Sequence, residues 1–156
     1  MVMIRTLLLF AIITALGSLP VKAQSEDGWF SGRLLLCCSG DEDTDCRAQV
    51  MYAHYFNFNN YVSSGFGTGL IMGSRCMVPI TADVRLRPTG HRRVMPVIAV
   101  TGGYAVPLGD ASGQTILTPR IGLDGGRLAR MRVALDVGCQ VLGGRCGWIV
   151  GAGFVF

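Results

Sequence analysis

Between Met131 and Leu142 the chain alternates. Met131, Val133, Leu135, Val137, Cys139 and Val141 are apolar, while Arg132, Asp136 and Gln140 occupy positions between them. Successive side chains of a β-strand point to opposite faces, so this segment has one apolar face and one charged face. The same pattern recurs upstream. Val78, Ile80, Ala82, Val84 and Leu86 alternate with Thr81, Asp83, Arg85 and Arg87, and Leu117, Ile121 and Leu123 are set against Arg120 and Asp124.

The last two runs are separated by Gly143-Gly144, a two-residue hairpin signal that fixes a register. Leu142 then faces Arg145, and the apolar face pairs Val141 with Cys146, Cys139 with Trp148, Val137 with Val150, Leu135 with Ala152, Val133 with Phe154 and Met131 with Phe156. The other face pairs Gln140 with Gly147, Asp136 with Gly151 and Ala134 with Gly153, so glycine leaves room beside the polar groups. A slip of one residue would destroy both matches.

Strand-like runs separated by Gly, Asn, Asp and Pro clusters recur roughly every 16 residues to the end of the chain. Eight are expected, near Trp29–Cys37, Arg47–Phe58, Val62–Gly73, Met77–Arg87, Arg93–Leu108, Gln114–Asp124, Met131–Leu142 and Cys146–Phe156. The fold class is therefore all-β, an eight-stranded antiparallel up-and-down β-barrel. Each repeat accommodates the ~9–11 residues of a tilted membrane strand. No stretch after the N-terminal region supplies the ~20 continuous apolar residues of a membrane helix.

Met1–Arg5 form a short basic start, Thr6–Leu16 an apolar run too short to span a bilayer, and Val21-Lys22-Ala23 a small-residue cleavage site. Residues 1–23 read as a cleavable signal peptide and 24–156 as one barrel domain. No cysteine follows Ala23, which argues against a lipid anchor.

Alternation alone does not say which face is inside. A soluble secreted barrel binding a lipophilic ligand, lipocalin-like, would turn its apolar face inward. Three features favour the inverted, membrane arrangement. Half of the residues are hydrophobic, only 15% are charged, and the sole lysine, Lys22, lies in the signal. Glycine and charge share a face, which suits a narrow lumen better than an exposed soluble strand. The chain closes on the alternating run Trp148, Val150, Ala152, Phe154, Phe156. The expected lipid-facing belt is Val133, Leu135, Val137, Trp148, Val150, Phe154 and Phe156, and the expected lumenal charge network is Asp83, Arg85, Arg120, Asp124, Arg132 and Asp136. Eight strands enclose a space that side chains fill, so a plugged core is expected rather than a pore. The net charge of +4, part of it in the signal, is too small to imply nucleic acid as a partner.

The terminal alternation ending in Phe156 resembles the closing strand of outer-membrane barrels. Gly65-Phe66-Gly67-Thr68-Gly69, Met77-Val78-Pro79-Ile80 and the segment from Met95-Pro96-Val97 through Gly102-Gly103-Tyr104 are similar to small outer-membrane β-barrel proteins common in Bacteroidetes-type bacteria, over most of Tyr52–Phe156. The resemblance implies residence in the bacterial outer membrane as a monomer, with outer-membrane lipid and the barrel-assembly machinery, reading the C-terminal strand, as partners. It also implies that both termini face the periplasm. The connections near 39–45, 73–76, 109–112 and 143–144 would then face outside, bringing all six cysteines toward the outer end.

Six cysteines in an exported chain suggest disulfides, with 15 possible connectivities. Cys38 with Cys46, closing the acidic loop Asp41–Asp45, is the preferred pairing; Cys139 with Cys146 is placed diagonally by the hairpin register. Asp41, Asp43 and Asp45 alternate as calcium ligands can, but Cys46 and Tyr52 stand where a calcium loop needs glycine and an acidic residue. No metal, cofactor or catalytic residue is assigned. Only His54 and His91 could serve as a histidine base, and neither has a recognisable partner in the sequence. The expected function is a structural or interaction barrel without catalysis. A barrel-type lipid-modifying enzyme is the lesser alternative.

Overall fold

A computed structural model describes residues 30–41, 46–89, 93–128 and 131–156. Its strands are β1 (Phe30–Asp41), β2 (Arg47–Asn57), β3 (Val62–Met72), β4 (Met77–Leu86), β5 (Val94–Pro107), β6 (Gln114–Leu128), β7 (Met131–Leu142) and β8 (Arg145–Val155). Each pairs antiparallel with its sequence neighbour, and β8 returns to β1, closing an up-and-down barrel. Closure removes both sheet edges, so no strand is left with an unpaired backbone face. Residues 1–23, expected as the signal peptide, residues 42–45 of the acidic loop and His91 lie outside the described residues.

Chain chemistry explains the details. Gly143 and Gly144 adopt φ of 59° and 85°, the left-handed backbone a two-residue hairpin turn requires. The β7–β8 register follows, with Leu142 opposite Arg145, Cys139 opposite Trp148, Asp136 opposite Gly151 and Val133 opposite Phe154. The pairing read from sequence departs at its last step. Phe156 does not end in a ladder with Met131; its backbone exchanges hydrogen bonds with Gly32 of β1, at 2.7 and 3.0 Å, and so helps to seal the barrel.

Two strands are longer than their composition indicates. β1 continues past Cys37 because Cys38–Asp41 pair with Val150 to Gly147 of β8, with the Trp148 ring lying where a side chain on Gly40 would be. β6 continues past Asp124 through a register shift between Gly125 and Arg127, which lets Leu128 pair with Met131.

The faces are sharply divided. Leu135, Val137, Trp148 and Val150 are each about half exposed on the outside, with Phe154 at 37% and Val133 and Phe156 partly covered. The lumenal positions are closed off: Arg85 is 0% exposed, Asp124 1% and Arg33 2%. β5, apolar on both faces, turns Met95, Val97, Ala99 and Thr101 inward and Ile98, Val100 and Tyr104 outward. In β3 the glycines at 65, 67 and 69 stand opposite Tyr55, Ala53 and Met51 of β2. A Cβ at Gly65 or Gly69 would lie 2.1 Å from a backbone carbonyl of β2, so these positions demand glycine.

Candidate functional site in the barrel lumen

The barrel's chemistry is concentrated in a ring of charges across its interior. Arg85 donates to Asp124 at 2.6 Å, and Asp124 also accepts from Arg33 at 3.5 Å. Arg33 reaches Asp136 at 2.7 Å, and Asp136 accepts from Arg120 at 3.4 Å. Arg120 binds Asp83 at 2.8 Å and Thr101 Oγ1 at 2.6 Å. The Tyr55 hydroxyl donates to Asp83 at 2.7 Å, while its ring lies 4.6 Å beneath the Arg85 guanidinium, which closes the circuit.

Three arginines thus meet three aspartates, contributed by β1, β4, β6 and β7. The circuit ties together strands that are not neighbours, since Arg33 on β1 meets Asp136 on β7 across the intervening β8. Alternation delivers Asp83 and Arg85, two residues apart, and Arg120 and Asp124, four apart, to the same face. Small residues make the room. A Cβ at Gly122 would fall 2.1 Å from Asp136 Oδ1, and one at Gly138 would crowd Arg120.

Burying an ion pair carries a desolvation cost that only close geometry and further hydrogen bonds offset. Here each aspartate accepts from at least two donors. A cavity of about 20 Å³ touches Arg33, Tyr55, Asp83, Thr101 and Arg120, enough for one water.

Toward the β7–β8 turn, the lumen continues as a polar cluster in which the Gln49 amide donates to Ser39 Oγ and Gln140 Oε1, each at 2.7 Å. Beside it Ile71, Met77, Ala105, Ile116 and Leu142 form an apolar layer. Among the described residues these layers leave no wide lumen, so reconstitution into planar bilayers is expected to give no stable porin-sized conductance; sustained open channels would contradict the filled lumen.

Of the six charges expected to share the lumen, the structure brings Asp83, Arg85, Arg120, Asp124 and Asp136 into one circuit. Arg132 stays at its edge, partly buried, with Nη1 3.3 Å from Met95 Sδ. Arg33 and Tyr55 were not legible as members. Arg33 is the one charge in the expected apolar strand Trp29–Cys37, and Tyr55 lies among aromatics that occupy both faces of β2. A further lumenal arginine, Arg87, lies 3.3 Å from both Ser63 Oγ and Asn57 Oδ1.

The cysteines gather toward one end of the barrel, and all six are free thiols in the structure. The register sets Cys38 opposite Ala48, so Cys46 lies two positions away along the neighbouring chain. Diagonal neighbours stand ~7–8 Å apart, more than a disulfide spans. Cys139 and Cys146 are offset in the same way.

His54 points to the outside of β2, stacked on Phe30 with ring centroids 5.6 Å apart and set edge-on to Phe56 at 5.8 Å. Among the described residues no group of three His, Cys, Asp or Glu side chains could hold a metal ion.

No protein-family model matches the chain, and no curated protein does. Solved structures similar to it include the following two. One, described as "De novo design of transmembrane beta-barrels", is 11% identical, with 81% of this chain and 95% of that chain covered and a TM-score of 0.52. The other is the crystal structure of Neisserial surface protein A (NspA), 8% identical, with 81% and 94% covered and a TM-score of 0.56. At such identities the likeness shows the barrel fold alone.

Proposed function

We propose that this chain is an integral outer-membrane β-barrel of a Gram-negative bacterium, with a side-chain-filled lumen and a structural or interaction role rather than transport or catalysis. The observation that carries this reading is the outward belt. Every strand contributes to it: Leu36 from β1, Phe56 from β2, Phe66 from β3, Ile80 from β4, Val100 from β5, Ile121 from β6, Leu135 from β7 and Val150 from β8, all more than a third exposed. An encircling apolar surface of this kind is a strong aggregation hazard in water and an asset in lipid.

The lumen argues the same way. A soluble carrier of lipophilic ligands needs an apolar cavity, whereas this interior holds three ion-paired arginines and a space of about 20 Å³. On the outside near the start of β1 and the end of β8, Phe30, Tyr52, Phe56, Phe66 and Phe156 make ring contacts with one another or with His54. That placement fits an interfacial aromatic girdle.

Within this reading residues 1–23 direct export, Phe156 presents the closing strand to the barrel-assembly machinery, and the folded chain is a monomer surrounded by outer-membrane lipid. Kinship with the Bacteroidetes-type small barrels rests on the quoted sequence segments. Expression of the full chain in a Gram-negative host tests the proposal. The protein is expected in the outer-membrane fraction after a carbonate wash, and to migrate differently on gels before and after boiling. Recovery as a soluble protein without detergent would overturn it.

A further inference from the structure

Three sulfur side chains come together on the outside of the barrel, at the end where the β7–β8 turn lies. β1 buries Cys37 and Ser39 and exposes Cys38, β3 buries Ile71 and exposes Met72, and Cys46, also exposed, leads into β2. The register brings them close. Ala48 of β2 pairs with Cys38 on one side and with Met72 on the other. Arg47 pairs with Ser39, so one step further the same ladder carries Cys46 level with Gly40. Cys46 thus stands diagonally from both Cys38 and Met72, beside the small, exposed side chain of Ala48.

This spacing suits a metal ion better than a disulfide. A disulfide holds its sulfurs ~2.05 Å apart, which diagonal neighbours at ~7–8 Å do not achieve. An ion between two thiolates contributes two bonds of ~2.3 Å and bridges about twice that gap. Met72 adds a thioether on a long, flexible side chain. The Trp148 ring, lying where a side chain on Gly40 would be, walls the group on the β8 side. Thiolates and thioethers are soft donors that select Cu(I), whereas a structural zinc ion takes four ligands. Among the described residues no third His, Cys, Asp or Glu joins the two thiols, which fits an ion satisfied by two or three sulfurs.

We propose that Cys38, Cys46 and Met72 form a binding site for a monovalent copper ion. Each thiol releases its proton to solvent as it ligates. The copper enters and stays as Cu(I), so no oxidant or reductant takes part. The site rests on the strand register and on exposure, and is independent of whether the belt below it faces lipid.

The full chain, folded in detergent and kept anaerobic, is titrated with Cu(I) in competition with the chromogenic chelator bicinchoninate. A single equivalent is expected to leave the chelator for the protein, with thiolate-to-copper absorption appearing in the near ultraviolet. The C76S/C139S chain, which lacks two thiols outside the group, should behave as the parent does. Cys38→Ser or Cys46→Ser is expected to weaken binding about 100-fold or more, since even groups that only support a ligand contribute about 10–100-fold, and Met72→Leu about tenfold.

The gel shift on boiling reports folding of each variant. Should a serine variant fail to fold, alkylation of the parent chain with iodoacetamide gives the same answer by peptide mapping, with Cu(I) expected to protect Cys38 and Cys46. Equal binding by the parent, Cys38→Ser and Cys46→Ser chains would overturn the proposal. So would alkylation of Cys38 and Cys46 undiminished by copper, or a disulfide joining them in the purified chain.

Discussion

Replacing Asp124 by leucine is expected to destabilise the folded barrel by about 3–5 kcal/mol, because it strands buried charges without their partner. Asp124 is 1% exposed and accepts from Arg85 at 2.6 Å and from Arg33 at 3.5 Å. The two arginines fare differently. Arg33 keeps Asp136 at 2.7 Å, whereas Arg85 retains only the Tyr55 ring among its described partners. The double variant D124L/R85L, which removes both members of the shorter pair, is therefore expected to recover much of the loss. Urea unfolding from phospholipid vesicles, followed by tryptophan fluorescence, measures both. Equal stabilities for the single variant and the parent would contradict the circuit, and a double variant no better than the single would show that Arg85 is not the stranded charge.

Leu135→Arg is expected to cost about 2–4 kcal/mol in the same assay, the penalty for a cation at the lipid face near the bilayer midplane. Leu135 lies midway along β7 between Leu123 of β6 and Ala152 of β8, 54% exposed, with no lumenal contact to lose. On a soluble barrel the same exposed substitution would shift stability by no more than about 0.5 kcal/mol. Leu135→Phe, which keeps the surface apolar, should be nearly neutral. A neutral arginine would place that face in water.

The parts of this architecture legible in sequence are those where aliphatic and ionisable residues share one strand. In β4, β6 and β7, Arg85, Arg120 and Asp136 mark the inner face and Val84, Ile121 and Leu135 the outer one, while Gly143-Gly144 fixes the β8 register. Where that contrast is missing, local sequence is silent. Met95, Val97 and Ala99 face the lumen while Ile98 and Val100 face outward, and no charge among them tells the faces apart. In β2, Tyr55 points in and Phe56 out, though both are aromatic.

The candidate site divides in the same manner. Five of its charges announce themselves by alternation, but the circuit that joins them depends on barrel closure. Arg33 enters it by meeting Asp124 and Asp136, 91 and 103 residues away, at a point set by the β8–β1 pairing. The placement of Cys38 and Cys46 depends on closure too. Proximity in sequence favours their pairing, but the true length of β1 places the two thiols diagonally.

Spin labels placed singly at Leu135, Val137 and Val150 in a cysteine-free background test the inverted arrangement most directly, with the chain folded into lipid vesicles. Collision with oxygen, which concentrates in the bilayer, is expected to be frequent at all three sites, and collision with a water-soluble nickel chelate rare. Labels that meet the nickel chelate freely, on a chain that has nevertheless folded, would mean that this belt faces water and that the account is wrong.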